Sequence, residues 1–230
     1  MMVIAACVAT WFVARRQRSL GMSRAERLTI VASGFVGATF AAKLPFLILG
    51  HEGGPWWTGW LADGKTVLWA LAGGYLGVEV GKAMLDIRTK TGDTFVVGVA
   101  IAIGIGRIGC LLFGCCYGTP TDLPWGICFI TAADGGTLAR HPTQIYESIF
   151  HFAFAGVAAF GIGRNWRKGD WMPMYLIAYC VYRFASEFIR PEVRLFAGLT
   201  FYQLSAVVIA LAMALVMLHR HRTTAPQGAG

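Results

Sequence analysis

The residues best suited to chemistry are two arginines inside apolar segments, Arg107 and Arg183. An ionised side chain at membrane depth is costly, and it usually marks a functional site. The planar guanidinium group can hold a phosphate through two parallel hydrogen bonds. Tyr179, Arg183 and Glu187 are spaced four apart, so on a helix they share one face, and Glu187 can hold the Arg183 side chain in place. The pattern predicts an arginine clamp for phosphate; an ion pair that only joins two helices is the alternative.

A second polar group, 141–147, opens a later apolar segment. Pro142 suits the first turn of a helix, where free backbone N–H groups attract anions. His141 beside it can act as a base, or it can cap the helix. Gly73 and Gly74, in another apolar segment, would let a lipid or a neighbouring backbone approach closely, although helix packing is the commoner reason for such glycines.

Three cysteines, Cys110, Cys115 and Cys116, follow Arg107 closely. Their spacing lacks the paired ligands of a zinc knuckle, so no metal site is predicted. Three interpretations remain open: packed thiols, a disulfide that involves Cys128, and a thiolate activated by Arg107.

The composition is that of a protein that sits in lipid. Hydrophobic residues make up 56% of the 230-residue chain, charged residues only 14%, and the mean hydropathy is +0.57. Soluble domains carry about a quarter charged residues, so we expect a polytopic membrane protein with an all-α fold. The net charge of +8 suits the basic cytoplasmic loops of such proteins. No stretch alternates basic and aromatic residues like a nucleic-acid groove, so nucleic acid is not an expected partner.

Seven apolar segments are separated by charged or polar loops. About 20 apolar residues cross the hydrocarbon core as a helix, so we expect about seven transmembrane helices, the first of them short. They would form a single transmembrane domain over 1–218, followed by a disordered cytoplasmic tail at 219–230. The expected spans are 3–14, 28–50, 66–85, 94–113, 142–162, 171–189 and 199–218.

Loop charges predict the orientation, because cytoplasmic loops are enriched in lysine and arginine. The segments 15–27, 86–93 and 164–170 carry five, two and three such residues, whereas 51–65 and 114–140 carry one each. The N-terminus is therefore expected outside and the C-terminus in the cytoplasm. This orientation brings the candidate residues of the fourth, fifth and sixth spans to one depth, in the outer leaflet.

Three stretches, in this order, resemble those of the prolipoprotein diacylglyceryl transferase family of bacterial inner membranes. They are GRIG and GCCYGTPTDLPWG within 106–126, RHPTQIYE at 140–147 and AYCVYRFASEFIRP at 178–191. Arg107 matches the arginine of the family's G-R-x-G-N pattern, and Arg183 matches its second essential arginine. The other polar residues singled out above match family positions as well: Tyr179, Glu187, His141 and Glu147.

The resemblance implies a seven-span protein of the bacterial cytoplasmic (inner) membrane. It would transfer a diacylglyceryl group from phosphatidylglycerol to the cysteine thiol of a lipobox-containing precursor protein and release glycerol phosphate. No metal or nucleotide cofactor is implied. The expected catalytic residues are Arg107, Arg183, His141 and Glu187, and the expected substrate-binding residues are the two arginines with Tyr179, Glu147, Gly73 and Gly74.

Several positions depart from the family pattern. Ala72 stands where the family has a histidine, Cys110 and Phe113 where it has asparagines, and Cys115 where it has a glutamate. Two alternatives to the transferase therefore stay open. One is a diverged enzyme that uses its own Cys115 or Cys116 thiol, or another acceptor; the other is a lipid-binding membrane protein without catalytic activity.

Overall fold

The computed structural model describes residues 1–49 and 66–224. The expected outer loop 51–65 and the last residues of the expected tail, 225–230, lie outside the described residues.

The described chain is mostly helical, as the composition predicts. Each of the seven expected apolar segments corresponds to one α-helix. Short antiparallel strands form two pairs, and two single turns of 3₁₀-helix follow α1 and α6. The helices are α1 Met2–Gln17, α2 Arg24–Leu49, α3 Val67–Met84, α4 Gly92–Phe113, α5 Thr143–Gly163, α6 Trp171–Ser186 and α7 Phe201–Thr224. The 3₁₀ turns are Arg18–Leu20 and Glu187–Ile189. The strands are β1 Ile127–Cys128, which pairs with β2 Ala139–Arg140, and β3 Arg194–Phe196, which pairs with β4 Leu199–Thr200.

Four of these helices, α2, α4, α5 and α7, are long and apolar enough to cross a membrane. Helices α1 and α6 have 16 residues each. At 1.5 Å per residue such a helix is about 24 Å long, less than the roughly 30 Å of the hydrocarbon core. The structure therefore agrees with an all-α membrane protein, and the number of seven spans stays a prediction.

Two helix boundaries differ from the sequence expectation. The basic segment 15–27 is not one loop, because α1 continues to Gln17 and α2 begins at Arg24. A capping box explains the early start of α2: the Ser23 N–H donates to the Glu26 carboxylate at 2.7 Å, and the Glu26 N–H donates to the Ser23 hydroxyl at 3.2 Å. At the other end α7 runs to Thr224, so the described part of the expected tail is helical.

The chain divides into two compact units, the smaller of which comprises residues 17–90. In this unit α2 and α3 run antiparallel and pack through small residues. A Cβ atom at Gly73 would collide with Ala41 and with the Gly37 carbonyl, and one at Gly77 would collide with the Ser33 carbonyl. Small residues of this kind let helix backbones approach closely in membrane proteins.

The larger unit comprises residues 1–16 and 91–230. Here α4 packs along α5 and α6 along α7. The Ser148 hydroxyl donates to the Gly104 carbonyl at 3.0 Å and joins α5 to α4. Asp93, in the first turn of α4, accepts backbone N–H bonds from Gly169 at 2.5 Å and Trp171 at 3.2 Å, which fixes the start of α6. This packing brings the polar residues of α4, α5 and α6 together.

Candidate active site

The Glu147 carboxylate of α5 is the centre of a buried polar network. It receives the Arg107 guanidinium of α4 at 3.0 Å on one oxygen and the Arg190 guanidinium at 3.2 Å on the other. The Tyr179 hydroxyl of α6 donates to the same carboxylate at 2.5 Å. Glu147 and Tyr179 are each at most 1% exposed. A buried carboxylate with three donors from separate elements holds those elements in a fixed arrangement.

A histidine and a second tyrosine extend this network. His151 lies one turn after Glu147 on α5, with its Nε2 atom 3.7 Å from the carboxylate. On its other side the Tyr175 hydroxyl is 2.8 Å from His151 Nδ1. His151 and Tyr175 are fully buried. His151 therefore lies at the same Glu147 oxygen as Arg107, and Tyr175 holds the His151 ring from behind.

The second buried ion pair joins Arg183 of α6 to Glu187, the first residue of the 3₁₀ turn after it, at 2.9 Å, which confirms the expected contact between these residues four apart. Glu187 also accepts a 3.1 Å hydrogen bond from the Thr200 hydroxyl, just before α7. The Arg183 guanidinium lies over the Tyr202 ring, 5.3 Å from its centroid. These contacts attach the end of α6 to the start of α7 and hold the guanidinium in one place.

Each of the three arginines keeps a buried donor without a hydrogen-bond partner within the described residues. These donors are Arg107 Nε, one terminal nitrogen of Arg183 and Arg190 Nε. A buried donor without a partner costs free energy, and such groups in native structures call for an explanation. Among the described residues, these three arginines form ion pairs with two glutamates, Glu147 and Glu187, which leaves one positive charge. Burial, followed by the charge of Arg183, lowers the pKa of Arg190. The cluster can therefore take up a monoanion with several hydrogen-bond acceptors.

An apolar groove of about 220 Å³ lies beside Arg107, between α4 and α5. Arg107 and Gln144 line it too, although only apolar atoms form its exposed surface. Its other lining residues are mostly apolar: Ile108, Leu111, Ile145, Ile149 and Phe152, with Ser148. A cationic group next to an apolar groove suits a molecule with an anionic head and a hydrocarbon chain.

The chain reverses immediately after α4 and brings the cysteines together. Gly114 has a positive φ of 77°, its N–H donates to the Leu111 carbonyl, and the Cys115 N–H donates to the Cys110 carbonyl. This is a Schellman motif, which glycine favours because it has no Cβ. The sulfur atoms of Cys110, Cys115 and Cys116 all lie within 4.8 Å of one another.

The thiols of this group differ in their surroundings, although all six cysteines of the chain are free. A hydrogen bond from the Cys110 thiol, together with the charges of Arg107 and Arg190, lowers the pKa of Cys116. Burial raises the pKa of Cys115. The three sulfur atoms thus lie close together, and the role of the three thiols stays a prediction.

Three of the expected site residues lie apart from the contacts of this network. His141 binds Thr119 through its backbone, and its Nδ1 atom is 3.4 Å from the Tyr146 hydroxyl. Gly73 and Gly74 belong to the smaller unit, where they pack against α2. Helix packing accounts for both glycines, and a role for any of the three in catalysis or substrate binding stays a prediction.

Sequence reasoning missed three members of the network, Arg190, His151 and Tyr175. The spacing contains a signal for each of them. His151 follows Glu147 by four residues, and Tyr175 precedes Tyr179 by four, so each pair shares a helix face. Arg190 follows Glu187 by three residues, but it lies just beyond the expected sixth span, 171–189.

Comparison with known proteins gives a consistent result. The model of the family described as prolipoprotein diacylglyceryl transferase matches residues 1–219. A protein of Clostridium tetani named phosphatidylglycerol–prolipoprotein diacylglyceryl transferase is 32% identical over 84% of this chain and 80% of its own length. A Clostridium perfringens protein with that name and the number 2 is 40% identical over 60% of this chain and 54% of its own length. A Geobacter sulfurreducens protein, also so named, is 27% identical over 85% of this chain and 78% of its own length. No solved structure matches the chain.

Proposed function

The chain belongs to the prolipoprotein diacylglyceryl transferase family, and we propose that its buried arginines bind the phosphate of phosphatidylglycerol during transfer of the diacylglyceryl group to a cysteine thiol. The observation that carries this proposal is the set of unpartnered donors on Arg107, Arg183 and Arg190. A phosphodiester brings one negative charge and several acceptor oxygens. It would satisfy these donors and balance the single excess positive charge.

The groove beside Arg107 supports a lipid rather than a free phosphate. One acyl chain of phosphatidylglycerol could lie along Leu111, Ile145 and Ile149 while its phosphate meets Arg107.

The reaction forms one carbon–sulfur bond and breaks one carbon–oxygen bond. The acceptor thiol loses its proton to a base, and its sulfur attacks the C3 carbon of the diacylglyceryl group. Glycerol phosphate leaves with the electron pair of the broken bond and with a second negative charge. Arginine donors that are already in place stabilise that developing charge more in the transition state than in the ground state. Glu147 and Glu187 hold the arginines, and His141 is the proposed base.

We extend the proposal to the membrane topology. The chain would cross the bacterial inner membrane seven times, with its N-terminus and its arginine cluster towards the outside and its C-terminus in the cytoplasm. The loop charges support this orientation. A reporter enzyme that works only outside the cytoplasm should be active when it is joined after Gly135 and inactive after Lys90. The opposite pattern would reverse the proposed orientation.

Transfer can be tested with the purified protein, micelles that contain phosphatidylglycerol, and a synthetic lipobox peptide. Mass spectrometry should find a diacylglyceryl adduct on the peptide cysteine. The adduct should be absent with the Arg107→Ala protein, and it should be absent when the peptide carries serine instead of cysteine. An adduct on Cys115 or Cys116 of the protein itself would favour the alternative in which the enzyme uses its own thiol. Lipid binding by a folded protein without any adduct would favour a binding role.

A further inference from the structure

The group formed by Cys110, Cys115 and Cys116 has the geometry of a three-thiol metal site. Each residue offers one sulfur atom, and the three atoms lie within 4.8 Å of one another. The ligand sulfurs of a tetrahedral zinc centre, with Zn–S bonds of about 2.3 Å, lie somewhat closer together than this, so small side-chain rotations would suffice. The sequence spacing did not predict this site. The cysteines lie at the end of α4 and in the turn that follows it, rather than in the paired spacing of a zinc knuckle.

The backbone conformation brings the three sulfur atoms close together. The Schellman motif at Gly114 brings Cys115 back over the last turn of α4, where Cys110 lies. Cys116 has a positive φ of 63°, a conformation that non-glycine residues rarely adopt. Its carbonyl accepts a 2.6 Å hydrogen bond from the Thr143 hydroxyl, and the Cys115 carbonyl accepts a 2.5 Å bond from the Gln144 side chain. The start of α5 thus holds both cysteines in place.

Sulfur ligands and charge together indicate which ion fits. Thiolates prefer soft or borderline ions such as Cu⁺ and Zn²⁺ over Mg²⁺ or Ca²⁺. Three thiolates leave two negative charges on a monovalent ion but only one on a divalent ion. Arg107 precedes Cys110 by three residues on α4, so its positive charge lies on the same face of the helix. A divalent centre with one negative charge is the better match, because the proposed lipid phosphate must also lie near Arg107.

We propose that Cys110, Cys115 and Cys116 bind a Zn²⁺ ion whose fourth position takes a water molecule or the thiol of the acceptor. Among the described residues the group includes no fourth histidine, cysteine or carboxylate ligand. Zinc centres with three protein ligands keep their fourth position for water or substrate. A thiol that enters this position gives its proton to the base of the proposed transfer and becomes a metal-bound thiolate. The proposed metal binding does not depend on the transferase function, whereas the role of the acceptor thiol rests on that proposed function.

Metal binding is tested on the full-length protein, purified in detergent with a reductant, treated with a chelator and then dialysed against Zn²⁺ or Co²⁺. We expect one tightly held ion per chain, and the Co²⁺ form should show the visible absorption of a tetrahedral thiolate site. The Cys110→Ser, Cys115→Ser and Cys116→Ser variants should each lose this absorption. Cys128→Ser is the matched control, since Cys128 is an exposed cysteine of the same loop outside the group, and it should keep the absorption.

A second measurement does not depend on the folding of variants. Zn²⁺ should protect Cys110, Cys115 and Cys116 of the unmodified protein from alkylation, as read by peptide mass spectrometry, while Cys128 reacts at an unchanged rate. Equal metal uptake by the protein that lacks all three cysteines would overturn the proposal. Equal alkylation of the three cysteines with and without Zn²⁺ would overturn it as well.

The fourth position is tested by adding the lipobox peptide to the Co²⁺ form. The cysteine peptide should strengthen the sulfur-to-cobalt absorption, and the serine peptide should leave it unchanged. No change with the cysteine peptide would overturn the open thiol position. If metal-free protein transfers lipid at the rate of the Zn²⁺ form while Arg107→Ala does not transfer it, the role of zinc in thiol activation is wrong and the phosphate clamp stands.

Discussion

Arg107 and Glu147 form a 3.0 Å ion pair between α4 and α5, and Glu147 is shared with Arg190. One carboxylate therefore balances only part of the charge of two buried guanidinium groups. This relationship makes the cluster responsive to anions, because an incoming phosphate meets arginines that are held in place but not fully neutralised.

Replacement of Glu147 by glutamine should destabilise the protein and make its stability depend on anions. Removal of one partner from a buried ion pair costs about 3–5 kcal/mol, because the remaining charges are left uncompensated. Glycerol phosphate or phosphatidylglycerol should restore part of the loss, and should raise the melting temperature of Glu147→Gln more than that of the unmodified protein. Thermal unfolding in detergent measures both effects. Equal melting temperatures of the two proteins without added anion would contradict the central position of Glu147.

Arg190 should be as important for transfer as the two arginines expected from the sequence. Its guanidinium is buried, it binds Glu147, and it keeps a free donor. Loss of one donor that stabilises developing charge typically lowers the rate by roughly 10²–10³-fold, so the Arg190→Ala enzyme should transfer lipid that much more slowly. Arg194, four residues later in β3, is exposed and donates to the Gly198 carbonyl, which makes Arg194→Ala the control. Similar rates for the two variants would exclude Arg190 from the phosphate site.

The Tyr179 hydroxyl should position Glu147 rather than touch substrate. It donates a 2.5 Å hydrogen bond to the carboxylate, and hydrogen bonds to charged groups contribute about 1.5–3 kcal/mol. Tyr179→Phe should therefore lower the melting temperature and kcat, while KM for the lipid changes little. Tyr182→Phe is the comparison, because its ring stacks on Phe150 at 4.7 Å and phenylalanine keeps that contact. A large rise in KM with Tyr179→Phe, at unchanged stability, would mean that the hydroxyl binds the lipid directly.

Gly73 should be required for the packing of α2 against α3. A Cβ atom there would collide with Ala41 and with the Gly37 carbonyl, whereas one at Gly156 on α5 would meet no atom within 4 Å. Overpacking typically costs about 1–3 kcal/mol, so Gly73→Ala should lower the melting temperature. Gly156→Ala should leave it unchanged or raise it, since glycine inside a helix is less favourable than alanine by about 0.5–1 kcal/mol. If Gly73→Ala unfolds like the unmodified protein but binds lipid more weakly, the glycine serves the substrate instead.

The helical class and the seven apolar segments could be predicted from the sequence, because lipid-like composition and the length of each segment depend on local residues alone. The contact between Arg183 and Glu187 was predictable for the same reason, since residues four apart on a helix are neighbours. The helix ends at Arg24 and Thr224 were harder to predict from the sequence, because they depend on individual capping hydrogen bonds such as that between Ser23 and Glu26.

Only the tertiary structure decided which partners the charged residues have. The sequence paired Tyr179 with the face of Arg183 and Glu187, whereas its hydroxyl binds Glu147 of another helix, and Arg190 joins the same carboxylate from beyond α6. Contacts between helices depend on how their faces pack, which residue spacing within one helix does not encode. The close approach of Cys110, Cys115 and Cys116 has the same origin. The sequence shows three nearby cysteines, but only the reversal of the backbone at Gly114 places their sulfur atoms together.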